Sequence, residues 1–312
     1  MENIEKKKSS RVIEEKKWKD IFQEKFGWLD QDNETKTINY SDKVLGRMAQ
    51  HESDQGALFC EVTGAPGSGK TGALLSCMER TLGNFKKEKV FFSECYNTPL
   101  QITKLGEGKY HLMIESEDIQ FFDRCKRGVR IYPEVTMFSD FEDCYKKAKL
   151  GIVNVVFFKD RKKIIDFIGY LRTTCEWNHV FIDEMAECAP AYASGEDWKK
   201  IEEFAKILKD VRKTWINVFC STQSVSDVDS RVRSKIQMRV LLPGSVRDKH
   251  SRITQLALDN LKEDKIKGNE GYVEYFGKFC KTRFNKIYTP TETMIDARIV
   301  EKPIEVTEDA QL

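Results

Sequence analysis

GAPGSGKT, Gly64 to Thr71, decides the fold. It matches GxxxxGK[ST] in full, and it stands between the short apolar run ALFCEVT (57–63) and the helix-like stretch GALLSCMERTL (72–82). Glycines at this spacing let backbone N–H groups turn inward around an anionic phosphate, while the helix that follows aims its positive end at the same point. The expected nucleotide cradle is therefore Gly64, Ala65, Pro66, Gly67, Ser68, Gly69, Lys70, Thr71 and Gly72. Lys70 would lie along the β- and γ-phosphates of ATP, and the Thr71 hydroxyl would bind Mg²⁺. A glycine-rich turn arising by chance would not bring a strand and a helix with it.

Outward from this loop, short β-rich runs alternate with helical stretches. KVFFSECY (89–96), YHLMIE, RIYPE, IVNVVFF (152–158), HVFIDE (179–184), INVFCST and MRVLLPG (238–244) read as strands. Helices are expected near FEDCYKKAKL, over roughly 161–177 and over about 196–213. Strands rich in Val, Ile and Phe are strands buried on both faces. The expected fold class is α/β: a P-loop NTPase of RecA-like form, its mainly parallel sheet carrying helices on both faces. The division follows texture: a charged, helical N-terminal extension (1–50), the ATPase core (51–262), and a β-rich C-terminal end with an extended tail (263–312).

The 312 residues carry 52 Lys and Arg against 50 Asp and Glu, a formal charge of +2 that neither demands nor excludes a polyanion partner. A local basic face can sit inside a neutral total. No run of about 18 apolar residues is present, so no membrane span is expected. The N-terminal MENIEKKKSSRVIEEKKWK lacks the apolar core of a secretory signal. The expected place is the cytoplasm. Nine scattered cysteines and four histidines form no zinc spacing, and buried thiols are the plain reading.

VFIDE (180–184) carries the second set of candidates. Three apolar residues put Asp183 at the C-terminal end of a buried strand, where open α/β sheets collect their ligands. Asp183 would hold Mg²⁺ through water. Glu184, beside it, can take a proton from an attacking water and is the candidate general base. Alone, Asp-Glu after an apolar run is as often a helix cap; the P-loop upstream is what favours catalysis. The one Asn-Lys pair, Asn285–Lys286, continues as Ile-Tyr and is no guanine-reading motif, which favours ATP over GTP.

INVFCSTQ (216–223) ends a buried strand on a glutamine. If that strand lies between the P-loop strand and the Asp-Glu strand, Gln223 sits beside the γ-phosphate. Its amide can donate and accept at once, contacting both water and phosphate oxygen. The alternative is an ordinary strand-ending turn.

IDEMAECAP (182–190), followed by a helix and VRKTWINVFCSTQSVSDVDSRVRSKIQMRVLL (211–242), resembles the HerA/FtsK group of P-loop ATPases. The order of motifs is shared from roughly 57 to 244. ECYNTPLQ (94–101) and GIVNVVFF (151–158) are similar to the Zot-like and genome-packaging ATPases of archaeal viruses and plasmids. The resemblance implies Mg²⁺-dependent ATP hydrolysis that moves double-stranded DNA. It also implies a homo-oligomeric ring, commonly six subunits, with a capsid or transfer-machinery protein as partner. It further implies that Arg212 reaches a neighbour's γ-phosphate, although a residue there can also merely pair with its own helix dipole. Arg231 and Arg233 are rivals for that role. Basic stretches that could touch DNA phosphates are Lys159–Lys163, Arg231–Lys235 and Lys278–Lys286, each of which also reads as a solvated face. An ATP-switched scaffold and a small-molecule phosphotransferase are the competing functions.

Overall fold

The computed structural model describes residues 38–39, 57–126, 128–209, 214–247, 251, 253, 258–259, 270–275, 278–283 and 294–300. The strands, in chain order, are β1 (Ile38–Asn39), β2 (Phe59–Thr63), β3 (Lys89–Ser93), β4 (Tyr110–Ile114), β5 (Ile119–Asp123), β6 (Val129–Ile131) and β7 (Val135–Met137). They continue as β8 (Val153–Phe157), β9 (Asn178–Ile182), β10 (Ile216–Thr222), β11 (Met238–Leu241), β12 (Glu270–Tyr275), β13 (Lys278–Arg283) and β14 (Ile295–Ile299). The helices are α1 (Lys70–Asn84), α2 (Phe141–Lys147), α3 (Lys163–Leu171), α4 (Met185–Cys188), α5 (Gly195–Lys209) and α6 (Ser230–Arg233).

Among the described residues, eleven strands form one sheet in the order β1-β13-β12-β11-β2-β10-β9-β3-β8-β4-β7. From β11 to β7 all pairings are parallel; β12 pairs antiparallel with both its neighbours. Right-handed crossovers of the βαβ kind force helices onto both faces of such a sheet. Accordingly α1 covers one face, with Ala73, Leu74, Leu75 and Met78 packed on Leu58, Cys60, Val62, Phe92, Phe181 and Phe219. On the other face α3 and α5 supply Ile164, Phe167, Ile168, Ile201, Phe204 and Leu208, packed on Phe59, Phe91, Val180 and Val218. β14, β5 and β6 form a separate small sheet.

Alternation along the strands fixes which side chains meet the P-loop. Phe181 of β9 and Phe219 of β10 lie in the α1-side core and stack with centroids 4.6 Å apart. A period of two then places Asp183 and Ser221 on that same face, beyond the strand ends. Phe92 of β3 does the same for Glu94. Because β2, β10, β9 and β3 are parallel neighbours, Gly64, Gln223, Asp183 and Glu94 all emerge at one edge.

Boundaries differ from expectation in two places. The helix expected over 161–177 is α3, followed by a 3₁₀ turn over Arg172–Thr174, because Cys175 takes a left-handed conformation (φ 54°) that α-helix cannot continue. The helix expected to 213 is described to Lys209, and Arg212 lies outside the described residues. So does most of the N-terminal extension, together with the tail beyond 300. Of the described cysteines none forms a disulfide, and Cys60, Cys77, Cys95, Cys144, Cys188 and Cys220 are buried. No described helix is long and apolar enough to cross a membrane.

Candidate active site

The P-loop joins β2 to α1 by a turn in which Gly67 and Gly69 have φ of 78° and 96°. The turn closes on itself through Ser68 N–H to Ala65 O (3.1 Å), and the helix begins with Ala73 N–H to Gly69 O (2.9 Å). Its outer side is braced by the chain that leaves β11. Ala65 N–H donates to Pro243 O at 3.1 Å, and Ser245 Oγ donates to Thr63 O at 2.9 Å. Gly244 (φ 81°) approaches so closely that a Cβ there would lie 2.4 Å from Ala65 Cβ. The LPG at 242–244, legible in the sequence only as a strand end, is thus packed against the P-loop.

The loop fits an anion on the structure's own terms. A Cβ at Gly64 would stand 2.4 Å from Ser68 Oγ, so only glycine leaves the cradle open. The Ser68 hydroxyl is buried without a hydrogen-bond partner, a donor that a phosphate oxygen would satisfy. Lys70 Nζ donates to the carbonyls of Gly64 (3.0 Å) and Ala65 (3.2 Å), folded over the loop it would share with a phosphate. Burial holds the Lys70 ammonium below its ordinary pKa, against the opposing pull of Glu184 and Asp183.

Asp183 gathers three elements. Its Oδ1 accepts the Ser221 hydroxyl at 2.7 Å and lies 3.4 Å from Thr71 Oγ1, which donates to it. Its N–H donates to Ser93 O at 2.9 Å, and its carbonyl accepts Arg161 Nη2 at 2.6 Å. A hydroxyl and a carboxylate are the hard oxygen donors that Mg²⁺ prefers, few enough that phosphate and water complete its shell. Thr71 and Asp183 therefore fit the metal role assigned from sequence.

Glu184 follows in the left-handed region (φ 58°, ψ 79°), rare for a residue with a Cβ and held where the surroundings over-determine it. Here they do: its N–H donates to Ser221 Oγ (3.1 Å), and its half-buried carboxylate accepts the backbone N–H of Gln223. Burial raises its pKa; the Gln223 N–H and Lys70 oppose the rise, and Asp183 and Glu187 add to it. That is the direction required of a general base. β10 does run between β2 and β9, so Gln223 emerges between the P-loop and Asp183. Its side chain is exposed; the contact it makes with Glu184 is through its main chain.

Sequence reasoning missed three residues. Ser221, read only as part of a strand, is the hydroxyl that ties Asp183 to Glu184. The signal was its period-two register with Phe219 and Gln223. Glu94, in register beside Asp183, is 2 % exposed and accepts the backbone N–H groups of Gln101 and Ile102. Burial and the neighbouring Asp183 push it up to about 8, against those N–H bonds and Arg161. Arg161 is the third, its side chain 9 % exposed. It clamps the back of the strand ends through Asp183 O, Cys95 Sγ (3.2 Å) and Glu187.

Two of the basic stretches that could touch DNA have described side chains. In Lys159–Lys163, Arg161 turns inward, Lys159 pairs with Asp118 (2.9 Å), Lys162 with Asp197 (2.5 Å) and Lys163 with Glu115. Acids from neighbouring elements neutralise the run. In Arg231–Lys235, Arg231 is held in its own chain by both oxygens of Asp229 and by the Trp198 ring, 4.4 Å away. That occupation weakens it as a residue reaching a neighbour. Arg233 is half-buried on α6. The side chains of Lys278–Lys286 lie outside the described residues.

The architecture is a P-loop NTPase fold: a mainly parallel, helix-flanked sheet with the glycine-rich loop, the Asp-Glu strand and the Gln-ended strand at one edge. No family model and no curated protein matches the chain. Among solved structures it is similar to the genome packaging NTPase B204 from Sulfolobus turreted icosahedral virus 2, at 14 % identity. That likeness covers 75 % of this chain and 99 % of that one, with a TM-score of 0.47. It is also similar to the N-terminal domain of zonular occludens toxin from Neisseria meningitidis (15 % identity, 79 % and 96 % covered, TM-score 0.31). The pCW3 conjugation coupling protein TcpA matches at 10 % identity over 75 % of this chain and 61 % of its own, TM-score 0.39.

Proposed function

We propose that the chain hydrolyses Mg²⁺-bound ATP and uses the reaction to move double-stranded DNA, as a homo-oligomeric ring in genome packaging or plasmid transfer. The observation that carries the ATPase reading is the meeting at Asp183. One carboxylate oxygen takes the Ser221 hydroxyl and the P-loop Thr71 hydroxyl, while Glu184 is locked beside it by Ser221 and Gln223. The DNA setting rests on the order of motifs from IDEMAECAP to MRVLL, and B204 and TcpA are a packaging and a conjugation protein by name.

In this reading the P-loop N–H groups and the Ser68 hydroxyl bind phosphate oxygens, and Lys70 exchanges its loop carbonyls for them. Thr71 and Asp183 would hold Mg²⁺, which when bound would supply neutralisation of charge on the phosphoryl oxygens. Glu184 receives the proton of the attacking water, and the Gln223 amide orients water against phosphate. Arg212 of a neighbouring subunit is assigned the growing charge on the phosphoryl group, by resemblance.

The test measures phosphate release with and without double-stranded DNA, beside the assembly's mass with a non-hydrolysable ATP analogue. Stimulated release from a multi-subunit assembly supports the motor. Hydrolysis indifferent to DNA favours a scaffold, and product on an acceptor without free phosphate favours a phosphotransferase. Glu184→Gln should bind ATP and lose roughly 10²–10⁴-fold in turnover; near-normal turnover would remove Glu184 from its role.

A further inference from the structure

We infer that the β5–β6 hairpin is a phosphate-backbone grip for double-stranded DNA, an inference that rests on the motor reading and deepens it. β5 and β6 pair antiparallel (Phe122 opposite Arg130, Asp123 opposite Val129), and β14 completes the small sheet. One face of that sheet is core: Ile119, Phe121 and Ala297 are buried, with Ile131 packed against them.

The turn between the strands is built rather than loose. Asp123 Oδ1 accepts the N–H groups of Cys125 (2.9 Å) and Lys126 (3.2 Å), and its carbonyl accepts Gly128 N–H at 2.8 Å. The acids of the small sheet are spent on this scaffold. Asp123 and Asp296 are 2 % and 1 % exposed, and Asp296 alone serves both Arg124 (3.4 Å) and Arg298 (2.9 Å). The cations stay outside. The Lys126 side chain is 72 % exposed, Arg124 41 % and Arg298 37 %, and Arg130 is exposed with the Tyr132 ring as its neighbour at 4.8 Å. Between Asp123 and Asp140 the one acid in the sequence is Glu134, against four cations including Arg127.

Here two buried acids serve three cations, Lys126 lying 3.8 Å from Asp123 while Arg124 and Arg298 share Asp296, so positive charge is in excess; in Lys159–Lys163 each lysine has an acid of its own. A polyanion with regularly spaced phosphates complements it, and contacts to phosphate carry no sequence preference. Its placement serves a motor. β14 is hydrogen-bonded to the segment that follows Glu94, through Asn97 N–H to Ala297 O (2.9 Å) and Leu100 N–H to Ile295 O (2.7 Å). The hairpin therefore stands at the strand-end edge that carries the phosphate site.

The experiment compares the wild type with Lys126→Gln/Arg130→Gln. It reads anisotropy of a fluorescein-labelled duplex over a salt series, with fluorescent ATP-analogue binding, basal hydrolysis and assembly mass alongside. Loss of two phosphate contacts should lower the salt slope by about 2 and weaken binding at low salt by about tenfold or more. Analogue binding and basal hydrolysis should be unchanged. Equal affinity and slope in both proteins would discard the hairpin while leaving a DNA motor intact. A wild type that binds no duplex with the analogue present would overturn the motor reading and this grip together. A double variant that keeps its duplex affinity but changes assembly mass would make the surface an interface between copies and overturn the grip.

Discussion

Glu94→Gln separates a neutral buried acid from a charged one. The carboxyl is 2 % exposed, beside Asp183, and its pKa rises from 4.5 to about 8. Between those values the folded protein keeps a proton that the unfolded chain gives up. Folding stability contributed by this group is then complete below pH 4.5 and is lost as pH climbs toward 8. Each unit is worth about 1.4 kcal/mol. Glutamine has the shape of the neutral acid and carries no titrating proton. The stability difference, wild type minus variant, should therefore fall by up to about 4 kcal/mol from pH 5 to pH 8, an upper bound if the buried site relaxes. Urea unfolding followed by tryptophan fluorescence, in chelator so that no cation touches Asp183, reads it directly. The m-value should match between the two proteins. A difference that stays flat within about half a kcal/mol across that range refutes the buried neutral acid.

Arg161→Met should cost about 3 kcal/mol, the low end for breaking a buried pair because Glu187 is half exposed, and thermal unfolding will show it; Arg161→Lys should not restore it, since an ammonium lacks the fork that spans Asp183 O, Cys95 and Glu187. Ser221→Ala removes a hydrogen bond to a carboxylate, worth about 1.5–3 kcal/mol, and should weaken Mg²⁺-dependent nucleotide binding measured by fluorescence while leaving metal-free binding near normal. Gly244→Ala drives a Cβ against Ala65 from a strained φ of 81° and should loosen ATP binding in the same assay more than Gly83→Ala, whose added Cβ meets nothing within 4 Å.

Much of this site could be read from the chain alone, and the parts that could not have a common cause. GAPGSGKT, Asp183 and Glu184 announce themselves because backbone geometry and metal chemistry demand those residue types at fixed local spacing. Ser221 and Glu94 are set by register between strands distant in sequence, and a serine or glutamate at a strand end carries no local signature. The strands suffered likewise. β2 to β4 and β8 to β11 are apolar runs; β5, IQFFD, alternates and ends on an acid, and β14, IDARI, is half charged. Their place in a second sheet depends on pairing with each other. Even β2 holds Glu61, fully buried in mid-strand, because Arg239 of β11 lies opposite it with Nε 3.7 Å away. In the Lys159–Lys163 run the converse holds: each lysine looks free in the sequence until the fold brings an acid to it.

The register of the strand ends also says how the site is joined to its surroundings. Beyond Glu184 and Gln223 the two loops run side by side. Asp229 N–H donates to Ala189 O (3.0 Å), Ala191 N–H to Asp227 O (2.8 Å), and Pro190 bridges Val228. Glu184 is thus fastened to β10 at two levels, by Ser221 and Gln223 at the strand end and by this short ladder farther out. Turning its carboxylate away from the P-loop breaks the Gln223 contact or carries residues 223–229 along, and Arg231, bound to Asp229, follows them. Each backbone bond in the ladder is worth only about 1 kcal/mol net.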